Sequence, residues 1–272
     1  MAQLSKTKLF VFDIDDTLLP RGLFDIPKKT VNAINQLLKK GYCVCLASGR
    51  PFNGIKQYLD AFSDGCKYAI VANGAALFDY DGNLLYEKYM TPKDVYYLYN
   101  KYTKIPGVTV YGYDDKNGLM IFNHDKWIDH EIEVNKIDSI FDFSKKDYSN
   151  EKIKIYKTMI ASEADVSKNI HLSKEELLRF RPTRSTVNYY EVLLDGASKE
   201  SMIDYLVRTL NLDEKNVYTF GDNNNDIGML KKYCGVALGN AIPDCKKVAK
   251  YVTTDVKDCG VAYALHDILK II

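Results

Sequence analysis

Short runs of apolar residues break off abruptly at polar or acidic ones, and this recurring edge organises the chain. Leu9-Phe10-Val11-Phe12 stops at Asp13, Tyr42-Cys43-Val44-Cys45-Leu46-Ala47 at Ser48, Tyr68-Ala69-Ile70-Val71 just before Asn73, and Val217-Tyr218-Thr219-Phe220 at Gly221-Asp222. Such continuous runs have the length of strands covered on both faces, as in the middle of a parallel sheet. Between them apolar residues recur at helical spacing: Val31, Ile34, Leu37 and Leu38 after a start at Asp25-Ile26-Pro27, and Ile55, Tyr58, Leu59 and Phe62. The order β-α-β-α-β predicts a doubly wound α/β core, its crossovers right-handed and its helices on the sheet faces. Asp81-Gly82 between two apolar arms, Leu77-Phe78 and Leu84-Leu85, predicts a hairpin.

Beyond residue 85 the pattern changes. Tyrosines crowd together (Tyr96, Tyr97, Tyr99, Tyr102, Tyr111, Tyr113), and short helix and strand signals mix. Thr91-Pro92-Lys93-Asp94 opens a helix, Gly118–Phe122 and Ile153–Lys157 read as strands, and Ser173-Lys174-Glu175-Glu176 fits a capping box. Residues 85–189 are therefore expected to form an α+β domain inserted into the first, which spans 1–84 and resumes over 190–272, starting with the run Tyr190–Leu194. A helix with Met202, Ile203, Leu206, Val207 and Leu210 follows, and Lys199 falls at its start.

Composition narrows the classes of partner. The chain has 272 residues, 46% hydrophobic and 27% charged, enough for a folded core. Its 37 basic and 36 acidic residues leave a net charge of +1, without the basic face that nucleic acid or an anionic membrane demands. The tyrosines then fit the packing of a small α+β core better than base stacking. No stretch approaches the roughly 20 apolar residues of a spanning helix, so the expected compartment is the cytoplasm. Cys43, Cys45, Cys66, Cys234, Cys245 and Cys259 lack the paired spacing of a zinc site and read as reduced core thiols. His124, His130, His171 and His266 are equally scattered and read as structural or surface residues.

Candidate chemistry lies at the strand ends. Asp13 and Asp15, two apart on an extended chain, face the same way. Two bare carboxylates about 4 Å apart repel by roughly 4 kcal/mol at an effective dielectric near 20, a cost that a divalent ion or a shared proton removes. Ser48-Gly49-Arg50, at a strand-to-helix turn, fits either a cradle for a phosphate oxygen or an ordinary Ser cap with a Gly turn. Lys199 opposes the dipole of its own helix, which leaves a functional role or a solvated surface position. Gly221-Asp222-Asn223-Asn224-Asn225-Asp226 puts a second acidic pair at a strand end.

Taken in order, Asp13-x-Asp15-x-Thr17, Ser48-Gly49-Arg50, Lys199 and Gly221-Asp222-x-x-Asn225-Asp226 resemble the four motifs of the haloacid dehalogenase-like hydrolases. Asn73-Gly74-Ala75 and Gly239-Asn240-Ala241 are similar to the Cof-type phosphatase subgroup, which inserts an α/β cap between its second and third motifs. One departure is Asp258-Cys259-Gly260-Val261-Ala262, where the subgroup has Asp-Gly-Val-Ala. The resemblance implies a Rossmann-like core, with Asp13 as nucleophile, Asp15 as general acid and base, and Lys199 as a catalytic cation. It implies Ser48, Gly49 and Lys199 on phosphate, and Arg50, Asn73 and Gly74 on substrate. Mg²⁺ is implied on Asp13, Asp222 and the Asp15 main-chain carbonyl, with Asn225 and Asp226 orienting its surroundings. The leading expectation is a phosphatase of small phosphorylated metabolites, selected by the cap. A sugar phosphomutase would share all four motifs, and a sensor on an inactive scaffold is a third reading.

Overall fold

The structure, a computed structural model, describes residues 7–135, 137–148, 150–184 and 186–272. The chain packs as two units, Met1–Tyr86 with Ser198–Ile272, and Glu87–Ala197. In chain order the first stretch gives β1 (Leu9–Phe12), α1 (Lys28–Lys39), β2 (Cys43–Ala47), α2 (Phe52–Asp60), β3 (Lys67–Val71), β4 (Ala76–Asp79) and β5 (Leu84–Glu87). The inserted stretch gives α3 (Pro92–Tyr102), β6 (Thr109–Asp114), β7 (Gly118–Ile121), α4 (Lys126–Asn135), β8 (Ser139–Asp142), β9 (Ile155–Ala161), α5 (Ala164–Ser167), β10 (Phe180–Arg184) and β11 (Tyr189–Leu194). The return stretch gives α6 (Lys199–Thr209), β12 (Val217–Gly221), α7 (Ile227–Lys232), β13 (Cys234–Ala237), α8 (Pro243–Val248), β14 (Tyr251–Val252) and α9 (Gly260–Tyr263). No helix among the described residues is long and apolar enough to cross a membrane.

The first unit is the doubly wound α/β core that the apolar runs predict. Its eight-stranded sheet runs β14-β13-β12-β1-β2-β3-β4-β5, and β1 lies between β12 and β2, parallel to both. Leu9, Phe10, Val11 and Phe12 are all fully buried, each full burial of such a side chain stabilising by about 1.5–3 kcal/mol. Phe12 sits level with Phe220 on one side and Leu46 on the other, so Asp13, Ser48 and Asp222 all emerge at one edge of the sheet. The ladder continues one step past the strands, with Asp13 N–H donating to the Phe220 carbonyl at 3.0 Å and Ser48 N–H to that of Ile70 at 2.9 Å. Helix α1 buries Ala33, Ile34, Leu37 and Leu38, and the hairpin β4–β5 turns at Gly82 with φ of 87°.

The inserted unit is a six-stranded sheet, β10-β11-β9-β6-β7-β8, antiparallel except for β7 with β8. Alternation along β6 sends Val110 into a cluster with Val95 and Leu98 of α3, and Tyr111 into one with Ile128 of α4, so both faces are covered. A Thr91–Asp94 capping box starts α3, and Ser173 and Glu176 form the expected reciprocal pair. Of the crowded tyrosines, Tyr102 and Tyr111 are buried and Tyr99 stacks on Phe122 at 4.1 Å, whereas Tyr96 and Tyr97 stay exposed.

The structure moves both boundaries of the insertion, the first by two residues to Glu87 and the second further. The run Tyr190–Leu194, expected to resume the first domain at residue 190, instead pairs antiparallel with both β9 and β10. An apolar run specifies a strand without specifying which sheet it joins. Here the second unit closes with Ala197, and Ser198 begins the return. The strand read over Ile153–Lys157 also runs later and longer, to Ala161.

Candidate active site

Asp13, Ser48 and Asp222 are delivered by strand ends of the first unit, and Lys199 by the start of α6. Asp13, 6% exposed, follows β1, and the chain then folds back through Asp16 in the left-handed region (φ 59°), with the Leu18 and Leu19 amides donating to the Ile14 carbonyl. That turn brings the buried Thr17 hydroxyl round to donate to Asp222 Oδ1 at 2.8 Å. Asp222 follows β12, and its own N–H donates to Asp226 Oδ2 at 2.9 Å, with Asn223 N–H on the same oxygen at 3.1 Å. Gly221 makes this approach feasible, because a Cβ there would fall 2.5 Å from Asp226 Cβ.

Lys199 resolves its unfavourable helix-start position by long-range pairing. It is 1% exposed, and its Nζ donates to Asp13 Oδ1 at 2.5 Å and to Asp226 Oδ1 at 2.7 Å. Two buried carboxylates outweigh a few tenths of a kcal/mol of helix-dipole repulsion. Both Asp226 oxygens are thereby engaged, which suits an orienting role rather than a ligating one. Ser48, 1% exposed, accepts the Arg50 N–H on its Oγ at 3.2 Å. Asn73 Oδ1 accepts from Asn225 Nδ2 at 2.9 Å and lies against Gly49, while Gly74 lies against the backbone of Ser198 and Lys199.

Asp15 and Arg50 stand apart from this buried group. The Asp15 carboxylate is exposed and held bidentately, Oδ1 by Arg50 Nη2 at 2.6 Å and Oδ2 by Arg50 Nε at 3.0 Å. Arg50 in turn donates to the Tyr58 hydroxyl at 3.3 Å and packs over that ring. Arg50 was expected on substrate; in this state its partner is Asp15. Sequence reasoning assigned no role to Thr17, although the third position of its own motif was the signal, and none to Asn240, whose Nδ2 donates to the Asp16 carbonyl at 2.7 Å. Tyr58 carried no signal beyond its place in a helical stripe.

The cluster is short of positive charge. One oxygen from each of Asp13, Asp222 and Asp226 lies within 4.8 Å of the others, against the single ammonium of Lys199. Burial pushes the Asp13 carboxyl well above its ordinary range, Lys199 opposing and Asp226 and Asp222 adding to the rise. Burial, reinforced by Asp226, likewise lifts Asp222 to about 7, against the Thr17 hydroxyl and Lys199. Lys199 is held above its usual value because Asp13 and Asp226 overcome the desolvation that favours the neutral amine. The donors are all oxygen, and among the described residues Asp13 and Asp222 each keep one oxygen outside the protein's hydrogen bonds. That set fits a hard, oxygen-seeking divalent cation and offers nothing to a soft one. The six cysteines are free, and the four histidines are exposed.

Comparison with known proteins agrees with this architecture. The profile of the haloacid dehalogenase-like hydrolases matches residues 10–265, and the chain belongs to that family. YxeH of Bacillus subtilis (strain 168) is 28% identical over 270 residues, covering 96% of this chain and 98% of its own. The 5-amino-6-(5-phospho-D-ribitylamino)uracil phosphatase YcsE of the same organism is 27% identical over 262 residues, covering 95% and 94%. Among solved structures, the subclass IIB sugar phosphatase BT4131 superposes with a TM-score of 0.78 at 23% identity, over 97% of this chain and 100% of that one. Within the family, the chain is an enzyme of the Cof-type group, a phosphoric monoester hydrolase.

Proposed function

We propose that the protein is a Mg²⁺-dependent phosphatase of small phosphorylated metabolites, working through a phosphorylated Asp13. The observation that carries the reading is the buried excess of carboxylate around Lys199: Asp13, Asp222 and Asp226 against one ammonium. Such an excess is costly in a fold that needs only packing, and it is what a site for a divalent cation and an anionic ester requires. Relatives of similar length include a phosphatase of a phosphorylated ribityl compound, which supports a small organic ester as substrate.

In this mechanism Asp13 and Asp222, together with the Asp15 main-chain carbonyl, would hold Mg²⁺. When bound, the ion neutralises charge on the transferring phosphoryl group. Lys199 keeps the Asp13 carboxylate aimed and ionised as phosphate approaches, and Ser48, Gly49 and Lys199 bind the phosphoryl oxygens. Asp13 forms the bond to phosphorus as the bond to the ester oxygen breaks. Asp15 gives that oxygen its proton, then takes one from the water that cleaves the aspartyl-phosphate. Both Asp15 oxygens are engaged by Arg50, so the Arg50–Asp15 pair must open before Asp15 can move a proton. An anionic substrate that draws Arg50 to itself would open it.

The test is phosphate release across a panel of phosphorylated sugars, nucleotides and cofactors, with Mg²⁺ or with EDTA. Asp13→Asn should lose three orders of magnitude or more in rate, roughly the loss seen when a nucleophile is removed, while keeping its fold. Undiminished turnover by that variant, or by the wild type in excess EDTA, would sink the mechanism.

A further inference from the structure

The turn after β3 contains three successive residues with positive φ: Ala72 at 47°, Asn73 at 59° and Gly74 at 100°. Only the last is a glycine, so the first two hold a conformation that costs a side-chain-bearing residue free energy, and such strain persists where surrounding contacts demand it. Those contacts reach three motif segments of the catalytic site. Ala72 N–H donates to the Arg50 carbonyl at 3.0 Å and Asn73 N–H to the Ser48 carbonyl at 2.9 Å, tying the turn to the Ser48–Arg50 loop. Gly74 packs so closely on the start of α6 that a Cβ would fall 2.1 Å from Ser198 C and 2.6 Å from Lys199 N. The Asn73 side chain, 6% exposed, accepts from Asn225 Nδ2 at 2.9 Å, and a Cβ on Gly49 would meet its Oδ1 at 3.2 Å.

We infer that Asn73 is a positioning residue: held by the left-handed turn Ala72–Gly74, its side-chain amide lies against Gly49 and accepts from Asn225, tying the loop of residue 225 to the Ser48–Arg50 loop that receives the transferring phosphoryl group. Asn73 was expected to touch substrate, and here it acts through Asn225 instead. Asparagine suits the task because it tolerates the left-handed conformation better than other residues with a side chain, and it offers an acceptor to the Asn225 amide. The role rests on the proposed phosphatase reading, since it concerns that same site.

Asn73→Gly separates positioning from folding, because glycine favours the turn and only the amide is lost. With p-nitrophenyl phosphate as probe, kcat/KM should fall about tenfold, the scale of one hydrogen bond, while the variant stays folded at the assay temperature. Ala72→Gly relieves strain in the same turn without touching Asn225, and its kcat/KM should stay within about twofold of wild type. The decisive readout is the double variant: Asn73→Gly in an Asn225→Ala background should cost nothing further, because Asn73 acts through Asn225. Wild-type kcat/KM in Asn73→Gly, losses that multiply in the double variant, or an equal loss in Ala72→Gly would each overturn the inference alone. A wild type that releases phosphate neither from p-nitrophenyl phosphate nor from the wider panel would overturn this inference and the phosphatase reading together.

Discussion

Removing the negative charge of Asp222 should strengthen the metal-free core at alkaline pH. Its carboxylate is 7% exposed, and burial beside Asp226 lifts it from 3.8 to about 7. In the unfolded chain the same group ionises near its ordinary value, so between about pH 4 and 7 the folded state keeps a proton the unfolded state has lost. A raised carboxyl stabilises the fold fully below about pH 4, and that contribution is lost as pH rises through about 7. The gap from 3.8 to about 7, at about 1.36 kcal/mol per unit, sets a ceiling of roughly 4 kcal/mol. Asp222→Asn keeps an acceptor for the Thr17 hydroxyl and cannot ionise. In EDTA at pH 8 its core should therefore exceed the wild type by between about 1 and 4 kcal/mol. Asp13 is raised in the same direction and remains, so the pH dependence should shrink without vanishing. Saturating Mg²⁺ should reverse the ranking, because only the wild type gains fully from ligand linkage. The one tryptophan, Trp127, lies in the inserted unit, so its fluorescence follows the other unit's unfolding. Hydrogen exchange at β1 and β12 through a urea series is the appropriate assay. A variant no more stable than wild type at pH 8 in EDTA would refute the reasoning, as would a metal-free wild-type core that gains stability from pH 6 to 8.

Lys199→Met should leave Asp13 and Asp226 buried without their cation and cost about 3–5 kcal/mol at pH 8, less at pH 5, where the raised Asp13 carboxyl takes up a proton; an unchanged urea midpoint at pH 8 would show that the ammonium does not compensate them. Gly74→Ala drives a methyl into the backbone of Ser198 and Lys199, so it should cost about 1–3 kcal/mol and lower phosphate release as well; calorimetry and a turnover assay check both. Arg50→Met breaks a pair whose Asp15 side chain is 55% exposed, so the melting midpoint should change by less than about 1 kcal/mol's worth while kcat/KM falls clearly; a large stability loss with intact turnover would contradict the assignment of Arg50 to the reaction.

The core was legible because its strands are buried on both faces, so Leu9–Phe12 and Val217–Phe220 stand out as unbroken apolar runs whatever surrounds them. The register that levels Phe12 with Leu46 and Phe220 was not written in any one run, yet the polar residues just past those ends already marked the shared edge. Tyr190–Leu194 misled for a complementary reason: a strand of either sheet would look the same locally, and only pairing with β9 assigns it. Lys199 looked misplaced within its own helix because its partners lie 186 and 27 positions away. The Arg50–Asp15 and Thr17–Asp222 pairs depend likewise on side-chain reach across loops, which spacing does not encode.

The insertion between β5 and α6 also dictates an order of assembly. The central strand β1 is synthesised well before its neighbour β12 and the lysine that compensates Asp13, which come only after the whole inserted unit has been made, a wait of about 20 s at ~10 residues per second. Until then one flank of β1 offers unpaired backbone groups, and Asp13 cannot be buried as an ion. The nascent N-terminal half is thus the stretch most exposed to mispairing and most in need of a holding chaperone, whereas a circular permutant starting at Ser198 would make β12 and β1 in quick succession and shorten that interval.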